Sequence, residues 1–318
     1  MPPPTLAMLH QARASLAGRL HLTPVLASRT IARQSGAASV GLKCESLQKT
    51  GSFKVRGALN AVMALDASAR SRGVVTFSAG NHAQALAWAA TSLGVPCTVV
   101  MPATASESKA AASAAYGAAV IRHGDGAAAY VRAMDLAAER GLTFVHPFDQ
   151  LDVMAGAGTV GLEILDQSPD VDVIVIPIGG GGLASGVAAA VRQTNPRVTL
   201  IGVEPEGASA MRQSLDAGRA VRLDRVDTIA DGLAAPFAGE LAFPIIRELV
   251  DHVVTVTDQE IASAMSLILT RAKLLVEPAG AAATAALLAG RVPTAAGRHV
   301  VTILSGGNVD LDRLKALV

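Results

Sequence analysis

Aromatic side chains are scarce: one Trp, two Tyr and six Phe in 318 residues. Cysteine is scarcer, and Cys44 and Cys97 offer neither a disulfide framework nor metal-ligand spacing. A reduced, cytoplasmic setting is therefore expected. An excess of charge is missing too, with Lys and Arg totalling 27 against 26 Asp and Glu. That balance points to neither a nucleic-acid partner nor a membrane surface. The opening "MPPPTLAMLHQARASLAG" lacks a basic start followed by an apolar run, so no signal peptide is expected. Val173 to Val191 form a run of nineteen uncharged residues, but it contains Pro177 and the four glycines Gly179–Gly182. A helix in lipid would have to absorb that backbone freedom, and a strand, a glycine turn and a helix fit better. Lysine is also rare, six against 21 arginines, yet Lys43, Lys49 and Lys54 fall within twelve residues. Arginine serves a charged surface equally well but cannot lose its proton to become an amine nucleophile. The stretch "LQKTGSFKVRGA", residues 47 to 58, therefore stands out.

What is present is an alternation of short β-branched runs with alanine-rich helical stretches. Strands are predicted at Gly73–Phe77, Pro96–Met101, Ala119–Arg122, Thr143–His146, Val171–Ile178, Thr199–Glu204, His252–Val256 and His299–Leu304. Helices are predicted at His82–Ser92, Ser106–Tyr116, Ala127–Arg140, Met154–Asp166, Leu183–Arg192, Ala208–Asp216 and Glu260–Lys273. Such alternation implies an α/β fold of open, mostly parallel sheets covered by helices. The length suits one large domain or two ordinary ones. Residues 219 to 244 read as a structureless segment, often a site-covering loop in such folds. Ligands of parallel sheets sit beyond the carboxyl ends of the strands, so the strand-to-helix turns are the places to search.

Three turns are unusual: "FSAGNHAQA" at 77–85, "IGGGGLASG" at 178–186 and "LSGGN" at 304–308. Gly179, Gly180, Gly181 and Gly182 lie between an apolar strand and a helix. They offer bare N–H groups at a helix N-terminus, a phosphate site. A dinucleotide fingerprint fails there, because the sixth position is Ala184 or Ser185 in the two registers, and no Gly-Lys-Ser/Thr follows. Ser78, Ala79, Gly80, Asn81 and His82 form a second N–H-rich turn able to hold a carboxylate, although a plain helix cap would read the same way. Ser52 is a plausible N-cap for "FKVRGALNAVMAL", which places Lys54 in the first helical turn with Arg56 close by. The helix dipole and the neighbouring guanidinium would both lower the amine pKa. An activated amine, a phosphate cradle and a carboxylate cradle are the three handles needed for pyridoxal 5'-phosphate held as an imine, with an amino acid as substrate.

With "HLTPVLAS" at 21–28, "LKCESLQKTGSFKVRGA" at 42–58, "SAGNHAQA" at 78–85, "HPFD" at 146–149, "GGGGLASG" at 179–186, "VEP" at 276–278 and "SGGN" at 305–308 in this order, the chain resembles the threonine/serine dehydratase branch of the fold-type II pyridoxal-phosphate enzymes, which includes the serine racemases. The resemblance implies the tryptophan synthase β-like two-domain fold, with a large cofactor-binding domain from 1–50 and 147–318 and a small domain at 51–146. It implies that Lys54 forms the imine and moves the α-proton, that Phe53 packs against the cofactor ring and that Asn81 bonds the ring hydroxyl. Gly179 to Gly182 would cradle the phosphate, Ser305 would meet the pyridine nitrogen, and Ser78 to His82 would hold the substrate carboxylate. Phe148 would face the substrate side chain, though simple core packing reads equally well. A hydroxyl at Ser305 supports a protonated pyridine less well than a carboxylate, which suits β-elimination over transamination.

The implied activity is dehydration and deamination of L-threonine or L-serine to a 2-oxo acid and ammonia. Alternatives are a dehydratase of another β-hydroxy amino acid, of hydroxyaspartate or phenylserine type, and a serine racemase. A homodimer or homotetramer is implied. Metal-binding relatives place an acid six residues after the position of Glu204, where this chain has Ala210, so no metal site is expected. Ala157 stands where the family commonly has glutamine. The sequence ends at Val318, soon after "SGGN", and feedback by isoleucine through a C-terminal regulatory domain is not expected.

Overall fold

The computed structural model describes residues 2–318 and contains ten strands in two sheets. In chain order the strands are β1 (Val25–Ala27), β2 (Ser39–Cys44), β3 (Val74–Phe77), β4 (Cys97–Met101), β5 (Ala119–Arg122), β6 (Thr143–Phe144), β7 (Val173–Pro177), β8 (Thr199–Pro205), β9 (His252–Val256) and β10 (His299–Leu304). The larger sheet runs β1-β2-β10-β7-β8-β9 and is parallel except for β1, which pairs antiparallel with β2. The smaller sheet runs β5-β4-β3-β6 and is wholly parallel. The α/β class with mostly parallel sheets is therefore the observed one. Every residue of β7, "VIVIP", is buried, as a strand covered on both faces requires. No helix among the described residues is long and apolar enough to cross a membrane.

The differences from the sequence reading have local causes. β1 and β2 went unpredicted. Gly41 and Lys43 interrupt the apolar run of β2, yet Lys43 is fully buried by its ion partners and Gly41 leaves room for the Val25 side chain. The helix Pro278–Leu288 was missed because it is buried almost all round and presents no amphipathic stripe. β6 stops at Phe144, short of the predicted His146. The predicted helix over Glu260–Lys273 starts earlier, at Asp258, where Thr257 and Glu260 form a capping box. It changes to a π turn at Ile268–Ala272 and ends on Lys273 at φ 62°. Between Arg219 and Pro244 most of the backbone is irregular. The exceptions are an isolated antiparallel bridge between Arg222 and Phe237, a 3₁₀ turn, Asp231–Leu233, and a helix that begins at Ala242.

Three helices position the chemistry. Lys54 opens the helix Lys54–Ala64, which lies against the long helix Leu151–Gln167, which in turn lies against Gly182–Thr194. The crossings are backbone-close. A Cβ on Gly57 would stand 2.6 Å from the Val153 carbonyl, and one on Gly158 would stand 2.7 Å from that of Gly186. Beside the first crossing lies a buried ion cluster. Arg56 donates through Nε to Glu45 Oε2 (2.7 Å) and through Nη1 to Glu163 Oε1 (2.6 Å). Lys43 Nζ donates to Glu163 Oε2 (2.6 Å) and the Thr23 carbonyl (2.7 Å). Two cations meet two carboxylates, and the charges compensate. Removing one partner strands a buried charge, so Arg56→Met is expected to lower the free energy of unfolding by roughly 3–5 kcal/mol. Urea denaturation checks this, and a loss below about 1 kcal/mol, the ceiling for an exposed pair, contradicts the cluster's role.

Candidate active site

The turns after β7 and β10, which are neighbours in the larger sheet, meet the turns after β3 and β6, which are neighbours in the smaller one. Ligand sites form beyond the carboxyl ends of parallel strands where strand order reverses. Lys54 stands between the sheets. Its Nζ donates to the Pro147 carbonyl (2.8 Å) and lies 5.2 Å from the centre of the Phe53 ring. Phe53, Pro147, Phe148, Val153, Ala157 and Gly182 line a cavity with it. Burial pushes the Lys54 amine down to about 8, with Glu277 opposing the shift. This outcome corrects the expected cause. Arg56 turns away into the ion cluster, and desolvation lowers the pKa instead. The expected Ser52 cap is also absent: Phe53 holds the N-cap position in helical conformation, and Ser52 Oγ is buried without a partner.

The glycine turn has its N–H groups free. Gly180 and Gly181 accept at their carbonyls from Gly239 N (3.1 Å) and Ser185 N (2.9 Å). The N–H groups of Gly179, Gly180 and Gly181 have no protein acceptor among the described residues. Gly181 sits at φ 103°, a conformation that favours glycine. Side chains at Gly180 and Gly182 are excluded by Phe148: a Cβ on Gly182 would lie 2.6 Å from the Phe148 carbonyl oxygen, and one on Gly180 would overlap the ring.

In the turn after β3, Ser78 Oγ accepts from Gly80 N (3.2 Å), and Ala83 N donates back to the Gly80 carbonyl (3.0 Å). The N–H groups of Ala79, Asn81 and His82 make no bond to protein among the described residues. The His82 ring is buried and faces the Val145 carbonyl at 3.2 Å, so this residue offers the turn its backbone and not its imidazole. Burial pushes that ring down to about 3. Asn81 Nδ2 donates to Glu277 Oε1 (2.6 Å), and its Oδ1 accepts from Asn308 Nδ2 (2.8 Å). Ser305 is buried at the end of β10, where its hydroxyl donates to the Ala279 carbonyl at 3.3 Å. The Ser305 carbonyl accepts from Phe53 N (3.0 Å), which ties the third turn to the Lys54 helix.

Glu277, Asn308 and His146 had no assigned role in the sequence reading, although all three lay within quoted motifs. A carboxylate directly before a helix-starting proline was the available signal for Glu277. His146 Nδ1 accepts from both Phe148 N (3.2 Å) and Asp149 N (2.8 Å), which requires a neutral ring, and burial pushes it to about 4. Glu204 is buried and caps the helix Ala210–Ala217, accepting from Met211 N (2.8 Å) and Arg212 N (2.7 Å).

Residues 18–306 match the family model described as pyridoxal-phosphate dependent enzyme. The chain belongs to this family. It is 46% identical over 312 residues to an L-threonine ammonia-lyase of Geobacter sulfurreducens, covering 98% of this chain and 77% of that protein. Among solved structures, maize serine racemase superposes with a TM-score of 0.95 at 39% identity, covering 99% of this chain and 97% of that one. The processed form of threonine deaminase isoform 2 from Solanum lycopersicum superposes at 0.91 with 34% identity, covering 100% of this chain and 95% of that one.

The residues present fit the family's cofactor. The free N–H groups of the glycine turn and a cradle that a Cβ would fill suit its phosphate. The Lys54 amine, the Asn81 amide and the Ser305 hydroxyl supply donors and acceptors of the right kind for the rest of the molecule.

Glu277 is buried, and burial raises its carboxyl from the ordinary 4.5 to about 7, while the Asn81 bond opposes the shift. Its folded pKa exceeds the unfolded one, so it contributes stability at low pH that is lost as pH rises through this window. In the cofactor-free protein, wild-type stability is expected to fall relative to Glu277→Gln between about pH 5 and pH 7.5, by roughly 3 kcal/mol at most. Urea titrations at several pH values measure this, and a constant gap contradicts the raised carboxyl.

Proposed function

We propose that the protein is an ammonia-lyase that dehydrates and deaminates L-threonine and L-serine to the 2-oxo acid and ammonia. The observation that carries this reading is the placement of the desolvated Lys54 amine in one cavity with Gly182, at the end of the glycine turn. The naming of the Geobacter relative as an L-threonine ammonia-lyase supports the same substrates.

Bound pyridoxal phosphate supplies the electron sink for the pair released when the α-proton leaves. Lys54 Nζ would hold the cofactor, and its amine would take the α-proton. Backbone N–H groups of Ala79, Asn81 and His82 hold the substrate carboxylate without a counter-ion. Asn81 keeps one amide N–H engaged by Glu277 and its oxygen by Asn308, which leaves its second N–H for the ring hydroxyl. Ser305 would meet the pyridine nitrogen with its hydroxyl, and Phe53 would pack on the ring. Loss of the β-hydroxyl as water gives an enamine, and water then replaces ammonia at the α-carbon.

A division into a small domain at 51–146 and a large domain from the rest is supported by the smaller sheet, whose strands all lie between Val74 and Phe144. A homodimer or homotetramer is supported by the exposed Leu22, Leu26 and Leu47 near the free edge strand β1. The buried free thiols Cys44 and Cys97 accord with a cytoplasmic setting.

Lys54→Ala is expected to reduce 2-oxo acid release at least about a hundredfold, the low end for a positioned acid–base group. Borohydride treatment of loaded wild-type protein should leave its label on Lys54. Near-normal turnover of the variant, or a label elsewhere, refutes the assignment.

Racemisation is the second reading, favoured by the likeness to maize serine racemase. It needs a proton donor facing the substrate from the side away from Lys54. Ala79 offers a methyl group that packs against the core of the smaller sheet. Chiral chromatography of wild-type reactions with L-serine is expected to show pyruvate with little D-serine. D-serine forming at a comparable rate would establish the racemase.

A further inference from the structure

Five of the nine aromatic residues stand in one line with a histidine between them. Phe77 meets Tyr130 edge-on at 6.1 Å, Tyr130 meets Phe144 at 6.0 Å, and Phe144 meets His146 at 6.1 Å. His146 meets Phe148 at 4.6 Å, and Phe148 meets Phe237 at 5.8 Å with the rings tilted by 50°. The line begins one residue before the Ser78–His82 turn and reaches the glycine turn at Phe148. In a chain so poor in aromatics, that concentration beside the cavity needs a reason.

Phe237 belongs to the irregular segment that the sequence reading took for a site-covering loop, and the structure holds it firmly. It pairs with Arg222 in an antiparallel bridge, and Leu223 N donates to the Pro236 carbonyl (2.7 Å). Gly239 N donates to Gly180 O (3.1 Å), which fastens the segment to the glycine turn. The Asp149 carboxylate accepts from Leu241 N and Ala242 N (both 3.1 Å), which fastens it to the "HPFD" turn. The Arg222 guanidinium lies 5.5 Å from the centre of the Phe237 ring, on the exposed side of the segment.

Resting on the ammonia-lyase reading, we infer that Phe237 is a specificity-determining residue, which with Phe148 forms the apolar wall that receives the β-substituent of the substrate. A substrate with its carboxylate on the Ser78–His82 turn and its amine at Lys54 directs its side chain toward the remaining wall. Phe148 lines the Lys54 cavity, and Phe237 backs it. An apolar wall favours threonine's methyl over serine's hydrogen and disfavours a second carboxylate, as in 3-hydroxyaspartate.

The test compares kcat/KM for L-threonine, L-serine and L-threo-3-hydroxyaspartate in wild type, Phe237→Ala, Phe148→Ala, the two combined, and Phe237→Leu. Cofactor uptake is followed by visible absorbance. The threonine-to-serine ratio is expected to fall about tenfold in Phe237→Ala, the scale of one methyl group in an apolar pocket, and much less in Phe237→Leu. The double variant should fall short of the product of the single effects, because the rings touch. An unchanged ratio in cofactor-loaded Phe237→Ala overturns the inference. If Phe237→Ala does not fold, a smaller but measurable fall of the ratio in the milder Phe237→Leu supports the wall, and an unchanged ratio there overturns it. Binding-difference spectra of the cofactor with each amino acid read the same preference without turnover. If wild type releases no 2-oxo acid, the ammonia-lyase reading fails, and these spectra still decide the wall.

Discussion

The guanidinium of Arg56 fixes the frame on which the site depends. It reaches from the Lys54 helix to Glu45, just after β2, and to Glu163 on the long helix Leu151–Gln167. The contact spans the two sheets' surroundings, and its charges are fully compensated by Lys43 and the two carboxylates. Buried ion pairs add little stability over a well-packed apolar alternative, but they fail sharply when misaligned. The adjoining Gly57 and Gly156 allow the two helices to touch backbone to backbone, so neither can slide. The register of Lys54 relative to the glycine turn follows from these two constraints, because Gly158 and Gly186 then carry the alignment to the helix that begins at Gly182.

Within this frame, burial drives the titratable groups around the cavity toward their neutral forms. Lys54 falls to about 8, His146 to about 4 and His82 to about 3, while Glu277 rises to about 7. The anionic parts of cofactor and substrate are then met by oriented N–H dipoles. Such dipoles hold charge without offering a competing proton. A neutral His146 also preserves its two acceptor bonds to Phe148 N and Asp149 N, and so the placement of the Phe148 ring on Gly180.

Much of this was legible in the sequence. Parallel strands such as β7 and β8 announce themselves as apolar runs between glycine-rich turns, and the three turns that meet at the site could be named from their composition. The illegible parts share one physical feature: their signal depends on a partner distant in sequence. β2 reads as a broken strand until Glu163 satisfies Lys43, 120 residues away. Glu277 reads as an ordinary pre-helical carboxylate until Asn81 meets it from 196 residues away. The helix Pro278–Leu288 is apolar on every side because it is enclosed on every side, so periodicity could not reveal it. Phe237 looked like a loop residue because the irregular segment's order comes from hydrogen bonds to Gly180 and Asp149 and not from a local pattern.

The three clustered lysines show how partners divide the same side chain into different uses. Lys49 stands over Trp88, with its ammonium 5.3 Å from the centre of that ring. Lys43 and Lys54 are both pushed down by burial. The difference lies in what faces them. Lys43 has the Glu163 carboxylate at 2.6 Å and the Thr23 carbonyl beside it, which hold it as a cation within a closed ion cluster. Lys54 has a carbonyl oxygen at bonding distance, and Glu277 acts on it without a hydrogen bond. A carbonyl still accepts from the neutral amine, though less strongly than from the ammonium, so Lys54 can lose its proton and keep a partner. A structural lysine needs the charge, whereas a reacting one needs to be able to give it up.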